Sequence, residues 1–209
     1  MLGGWKFANT KDGSMAEYFH VNDAIANLAP IPDGLSDEQA AYCCDMLSTG
    51  FVAAEFGNIP IGGSVAVFGV GPIGMMAIVG ARLRGAGLVI GVESRPDRTS
   101  MARKFGADLV VDFTKEDPVE AIRKATGGAG VDTAIEALGS PTTFAACVSA
   151  TRPGGTISNI GYHGDGDTVP IPRLDWGVGM SDKTIRTALC PGGSERMGRL
   201  MRLIRNGRV

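Results

Sequence analysis

Histidine is scarce in this chain. His20 and His163 are the only two among 209 residues, and neither belongs to an HExxH helix or to a Cys/His set at ligand spacing. The four cysteines, Cys43, Cys44, Cys147 and Cys190, contain no CxxC pair. Adjacent Cys43 and Cys44 suit neither a mutual disulfide nor joint ligation of one metal. These absences argue against a metal site built by this chain alone, and the cysteines are expected to be buried, reduced thiols of a cytoplasmic protein. Charge of one sign is also missing: the net charge is −2, with no basic cluster, which excludes a nucleic-acid partner. No Gly-x-Ser-x-Gly elbow is present, so nothing points to a Ser/His/Asp hydrolase. The opening MLGGWKFANTKDG has no basic region followed by an apolar one, so no signal peptide is expected.

What is present is a charge-free run, residues 56–81. It is long enough to span a bilayer, but seven glycines and two prolines argue against a membrane helix. Its centre, VAVFGVGPIG, explains it better. Four apolar residues, Val65–Phe68, predict a buried parallel strand, and Gly69, Gly71 and Gly74 then form GxGxxG, with Pro72 and Ile73 opening a helix that runs to Arg84. In such a fingerprint the first glycine permits the turn, the second admits a pyrophosphate to the backbone, and the third lets helix and sheet pack closely. Glu93 stands 19 residues beyond Gly74, at the end of a second apolar run, Leu88–Val92. That is where an acid grips a dinucleotide ribose.

From there strands and helices alternate. Strands are predicted at Leu88–Val92, Asp108–Val111, Val131–Ala137, Thr156–Ile160 and near Thr184–Leu189. Pro96, Pro118 and Pro141 open helices, the last two capped by Asp117 and Ser140; Gly106 and Gly127 stop the first two. With Val65–Phe68 this makes six strands joined by helices: an α/β fold with a doubly wound, six-stranded parallel Rossmann sheet. The first part differs. Ala16–Val21 and Ala24–Leu28 read as short strands of another, β-rich domain. Ser36 and Gln39 form a capping box for a helix through Ala40–Leu47 that links the two domains. Residues 1–40 are too few for a core of their own. Residues 41–193 are assigned to the dinucleotide-binding domain and 194–209 to a segment returning toward the other domain. Both ends look cut from something larger.

Two further residues draw attention. Asp45 sits in AYCCDMLSTGF, otherwise apolar or small. A carboxylate buried there must be paired or metal-bound; the plainer reading is an aspartate on a helix surface. His163 follows the fifth strand, at the edge where open sheets bind ligands. Its loop is expected to touch a cofactor, without a catalytic role for the imidazole.

Taken together, Trp5 to Ala24, CDMLSTGF (Cys44 to Phe51), GVGPIG, ESRP (Glu93 to Pro96), SNIGYHG (Ser158 to Gly164), IPRLDWG (Ile171 to Gly177) and KTIRTALCPGG (Lys183 to Gly193) resemble the bacterial secondary alcohol dehydrogenases. These are zinc-dependent members of the medium-chain dehydrogenase/reductase superfamily, and the resemblance covers nearly the whole chain. It implies hydride transfer between a nicotinamide (NAD or NADP) and a small secondary alcohol or ketone, with Zn2+ polarising the alcohol oxygen. It implies that the β-rich part is a GroES-like catalytic domain, and it assigns Asp45 to the zinc, Thr49 and Tyr162 to the nicotinamide, and Trp5 to the substrate pocket. It also implies a homodimer or tetramer through the edge strand near Thr184–Leu189.

The chain departs from the pattern in lacking the family's Gly-His-Glu segment, its other zinc ligands and its proton-relay serine. The chain is therefore expected to be a part of an enzyme, with little turnover alone. Cofactor signals are mixed. Glu93 favours NAD, since its carboxylate accepts from both ribose hydroxyls and repels a 2′-phosphate. Ser94 and Arg95 match a phosphate-binding pair of the NADP-dependent members. Phe113 replaces a tyrosine that supports that phosphate, and Arg98 is placed to cover the adenine. The balance leans to NAD. A zinc-free quinone or enone reductase, and a non-catalytic dinucleotide-binding module, are the alternatives.

Overall fold

The computed structural model describes residues 13–209. Trp5 lies outside them. The chain divides into two compact units, Met1–Ser48 with Cys190–Val209, and Thr49–Leu189.

In the described part of the first unit, α1 is a single turn, Ala24–Asn27, and α2 spans Asp37–Ala41. A 3-10 turn, Tyr42–Cys44, leads to α3, Met46–Phe56, which continues into the second unit. The Ser36–Gln39 capping box is present, with both reciprocal bonds made. The helix expected through Ala40–Leu47 is not continuous: it breaks at Asp45, whose φ −140, ψ −70 is non-helical. The strands expected at Ala16–Val21 and Ala24–Leu28 do not form; Ala24–Asn27 is helical and 16–21 is irregular. A strand needs a ladder partner for its backbone groups, and the described residues of this unit include no strand. The closing helix, α8 (Ser194–Arg205), is held to the start of α3 within this unit: Arg196 Nε donates to Ser48 Oγ (2.6 Å) and its Nη2 to the Ser48 carbonyl (2.9 Å).

The second unit is a parallel sheet of β1 (Ser64–Phe68), β2 (Leu88–Val92), β3 (Leu109–Val111), β4 (Val131–Glu136), β5 (Thr151–Asn159) and β6 (Thr184–Thr187). The strand order is β3-β2-β1-β4-β5-β6, every neighbouring pair parallel. The intervening helices are α4 (Pro72–Leu83), α5 (Pro96–Lys104), α6 (Pro118–Ala125) and α7 (Pro141–Ala150). Each starts with proline in its first turn, and Asp117 and Ser140 cap α6 and α7. The six expected strands are all there, but β5 and β6 are joined by a loop with a 3-10 turn at Gly177–Gly179, not by an α-helix. β5 starts earlier than the predicted Thr156–Ile160, because residues 153–155 form a bulge inside it: Thr151 pairs with Val131, and Thr156 already with Thr133.

Alternation along β1 explains the two layers. Val65 and Val67 point to one face, where Ala53 and Ala54 of α3, Ala77 and Ile78 of α4 and Ala102 of α5 cover them. Ala66 and Phe68 point to the other, against Ile122 of α6 and Phe144 and Val148 of α7. A parallel strand buried on both faces reads as the continuous apolar run seen in the sequence. At the opposite end of the sheet from the glycine turn, Asp132 closes the base. Its Oδ2 accepts from the Ser64 amide (2.7 Å) and hydroxyl (2.8 Å), and its Oδ1 from Arg152 Nε (2.8 Å). Partial burial pushes the Asp132 carboxyl up, but the Ser64 amide, Arg152 and the Ser64 hydroxyl outweigh it and hold the group below its ordinary 3.8.

A carboxyl depressed by folding stabilises the fold above its unfolded pKa, and that stability is lost as pH falls through the folded value. Asp132→Asn is expected to cost about 1–2 kcal/mol at neutral pH. The difference from wild type should shrink below about pH 4, which urea unfolding across pH checks.

Candidate functional site

The strand order reverses between β1 and β4, so the loops after these strands diverge and leave a crevice at their carboxyl ends. After β1, Gly69 turns the chain with φ +84. A Cβ on Gly74 would lie 2.1 Å from the Gly69 carbonyl oxygen, so packing alone demands glycine there. Gly71 is different. Its backbone is extended (φ −77, ψ −168), open to any residue, and a Cβ on it would meet nothing nearer than Arg98 Nη1 at 4.0 Å. No protein atom requires glycine at 71, and the space is open. Gly71 is also the N-cap of α4, a twelve-residue helix that no side chain caps. Pro72 takes the first helical position, so the next amides of the turn are those of Ile73 and Gly74. Orphan helix amides, the positive end of the dipole and the nearby Arg98 guanidinium make a cradle suited to a diphosphate.

On one side of this cradle stands Glu93, just beyond β2 and only 6% exposed. Its amide donates to the Val111 carbonyl (3.0 Å). Its Oε1 accepts from the amides of Ser94 (2.9 Å) and Arg95 (3.0 Å), and its Oε2 faces Arg98 Nη1 at 3.5 Å. Arg95 is largely exposed and turned to Asp97, with Nη2 to Oδ2 at 3.0 Å. Phe113 is exposed. On the other side lie the loops after β4 and β5. Leu138, 61% exposed, stands against Gly69, where a Cβ would come within 3.0 Å of its own Cβ. Tyr162 is 72% exposed on the following loop. The structure thus gathers Gly69, Gly71, Pro72, Ile73, Gly74, Glu93, Ser94, Arg95 and Arg98 around the glycine turn and the adjoining end of β2.

Thr49 is buried in α3. Asp45, in the other unit, is exposed and sits at the break before α3, so it is neither a buried carboxylate nor part of a helix surface. Cys43 and Cys147 are buried as expected, whereas Cys44 is exposed and Cys190 half-buried; all four are free thiols. Burial, reinforced by Cys44, pushes the Cys43 thiol up to about 11, where it stays protonated. Among the described residues, no three of His, Cys, Asp and Glu gather closely enough to hold a metal ion. These residues therefore do not fit a zinc centre by themselves. Among them, too, no helix is long and apolar enough to cross a membrane.

One residue at this edge escaped the sequence reading. Glu136 ends β4 fully buried, with Oε1 accepting from Leu138, Gly139 and Thr143. A signal was available: like Glu93, it is the only charge at the end of an apolar strand, in TAIEALG. His163 is tied here as well, its Nε2 2.9 Å from Asn159 Oδ1 and its ring edge-on to Phe144.

Residues 72–206 match the zinc-binding dehydrogenase family. The chain belongs to that family. It is similar to an NADP-dependent isopropanol dehydrogenase of Thermoanaerobacter brockii, 50% identical across 100% of this chain and 59% of that protein. An alcohol dehydrogenase of Cupriavidus necator is 51% identical across 99% of this chain and 56% of its own length. Among solved structures, zinc dependent alcohol dehydrogenase 2 of Streptococcus pneumonia, in its apo form, superposes with a TM-score of 0.84 at 30% identity, covering 95% of this chain and 55% of that one. The chain thus spans rather more than half the length of the curated relatives it matches.

The two fingerprint glycines are glycine for different reasons, and stability separates them. Gly74→Ala is expected to lower the unfolding free energy by about 2–4 kcal/mol, because the Cβ meets backbone. Gly71→Ala should change it by less than about 0.5 kcal/mol. Urea unfolding of both variants is the check.

Proposed function

We propose that this chain is the cofactor-binding portion of a zinc-dependent alcohol dehydrogenase that transfers hydride between a nicotinamide dinucleotide and a small secondary alcohol or ketone. The observation that carries this proposal is Gly71: glycine where neither backbone nor packing needs it, at the open amino end of α4. The resemblance to isopropanol and alcohol dehydrogenases supports the choice of substrate.

The residues divide the work. The amides of Ile73 and Gly74, with the dipole of α4, hold the pyrophosphate, and Pro72 fixes the turn that aims them. Glu93 takes the adenosine ribose hydroxyls and Arg98 lies over the adenine. Thr49 and Tyr162 contact the nicotinamide, and Trp5 lines the substrate pocket. When bound, the nicotinamide supplies or accepts the hydride. Asp45 is proposed as a donor to zinc, and the described residues supply no complete set. Residues 41–193 are proposed as the cofactor domain, with 1–40 and 194–209 belonging to the catalytic domain. The compartment is proposed to be the cytoplasm.

NAD is proposed as the preferred cofactor. A 2′-phosphate at the end of β2 would meet the buried Glu93 carboxylate, which already occupies the Ser94 and Arg95 amides. Against this stand the NADP-dependent name of the Thermoanaerobacter brockii relative and the Ser94–Arg95 pair. A homodimer or tetramer through β6 is also proposed. That strand is a sheet edge, and Leu174 and Met180 on the connection before it are 74% and 80% exposed.

Fluorescence titration with NADH and NADPH tests the cofactor assignment. Saturable binding is expected, tighter for NADH, with Glu93→Gly moving the preference toward NADPH. An unchanged ratio in Glu93→Gly would show that Glu93 does not set the choice. Gly71→Ala should weaken binding by about tenfold or more while the fold persists. No binding by the folded wild-type chain overturns the proposal. Turnover of 2-propanol by the 209-residue chain alone is expected to be negligible, and a robust zinc-dependent rate would refute that.

A further inference from the structure

Glu136 is a carboxylate with no exposed surface, and a buried carboxylate is costly unless the surroundings use it fully. Here three segments use it. Its Oε1 accepts from the amides of Leu138 (3.1 Å) and Gly139 (2.9 Å) in its own loop and from the Thr143 hydroxyl of α7 (2.6 Å). Its Oε2 accepts from Gly139 (3.0 Å) and faces His163 Nε2 at 3.7 Å. Its carbonyl accepts from the amides of Ile160 (2.9 Å) and Gly161 (3.1 Å) after β5. The segments are packed to backbone contact. A Cβ on Gly161 would lie 2.0 Å from Glu136 Oε2, and one on Gly139 would lie 2.2 Å from the Tyr162 carbonyl oxygen.

The amino end of α7 does not require this carboxylate as a cap, because Ser140 already accepts from the Thr142 amide. What Glu136 fixes is the placement of two loops relative to each other. Those loops carry Leu138 and Tyr162, exposed side chains on the opposite side of the glycine turn from Glu93. If the adenosine half lies over β2, the other half of a dinucleotide crosses to β4 and β5.

We propose that Glu136 is a positioning residue for the nicotinamide half of the cofactor. It acts through the backbone of Leu138–Gly139 and through the loop of Tyr162 and His163, and touches no ligand itself. This rests on the dinucleotide-binding proposal above.

The test compares NADH with ADP-ribose, which keeps the adenosine and both phosphates but lacks the nicotinamide. Wild type, Glu136→Gln and Thr143→Val are titrated with both ligands, with NADH followed by nicotinamide emission and its blue shift. Glu136→Gln presents an amide N–H where the loop needs an acceptor. It should weaken NADH about tenfold and reduce the blue shift, with ADP-ribose held within about twofold. Thr143→Val removes one donor and leaves the carboxylate, so NADH should weaken about threefold, again with ADP-ribose unchanged. Equal weakening of both ligands in both variants, or no change in NADH, would overturn the inference. Retained ADP-ribose binding shows that a variant is folded. A folded wild-type chain that binds neither ligand overturns the dinucleotide-binding proposal itself, and this inference with it.

Discussion

Burial of β1 on both faces is the constraint on which the unit Thr49–Leu189 depends. Val65, Ala66, Val67 and Phe68 are at most 1% exposed, so helices must cover the strand from both sides. A parallel strand with helices on both faces forces crossover connections, and those set strand order and crevice together. The glycine turn is then squeezed between β1 and the start of α4, where only the absence of a side chain at Gly74 lets the helix sit down on the Gly69 carbonyl. The site is in this sense a by-product of packing the core: the loop is tight because the helix is close.

Two acids terminate central strands, and they are used alike. Glu93 after β2 and Glu136 at the end of β4 are both buried, and both accept from the amides of the next few residues. Each neutralises the first orphan donors of a strand-to-helix loop and so fixes the loop's path. They differ in surroundings. Glu93 has Arg98 beside it, whereas Glu136 meets the Thr143 hydroxyl and His163.

Much of this was legible in the sequence because the signals are local. The apolar run, the glycines, the proline starts and the Asp117 and Ser140 caps each act within a few residues, and the matching elements appear within a residue or two. The failures have non-local causes. Ala16–Val21 reads as a short strand, but a strand exists only with a partner, and propensity cannot supply one. Thr151 joins β5 because β4 lies beside it, with the Pro-Gly-Gly bulge absorbed between two paired stretches. The Ala40–Leu47 helix breaks at Asp45, where apolar periodicity gave no warning. Glu136 escaped because its importance lies in what it joins to the first turn of α7: the ends of β4 and β5, which are far apart in sequence. The exposure of Cys44 likewise reflects which side of a short 3-10 turn it occupies.

The double acceptance by Glu93 Oε1 has a kinetic consequence. The turn that follows β2 is already wound around its own carboxylate, with the Ser94 and Arg95 amides satisfied inside the protein. A ligand arriving there finds a wall that is set and needs no segment to fold around it. The entropic toll of capture is correspondingly small. Capture of a dinucleotide at this end of the crevice, as proposed, would then be limited by diffusion and orientation instead of by loop closure.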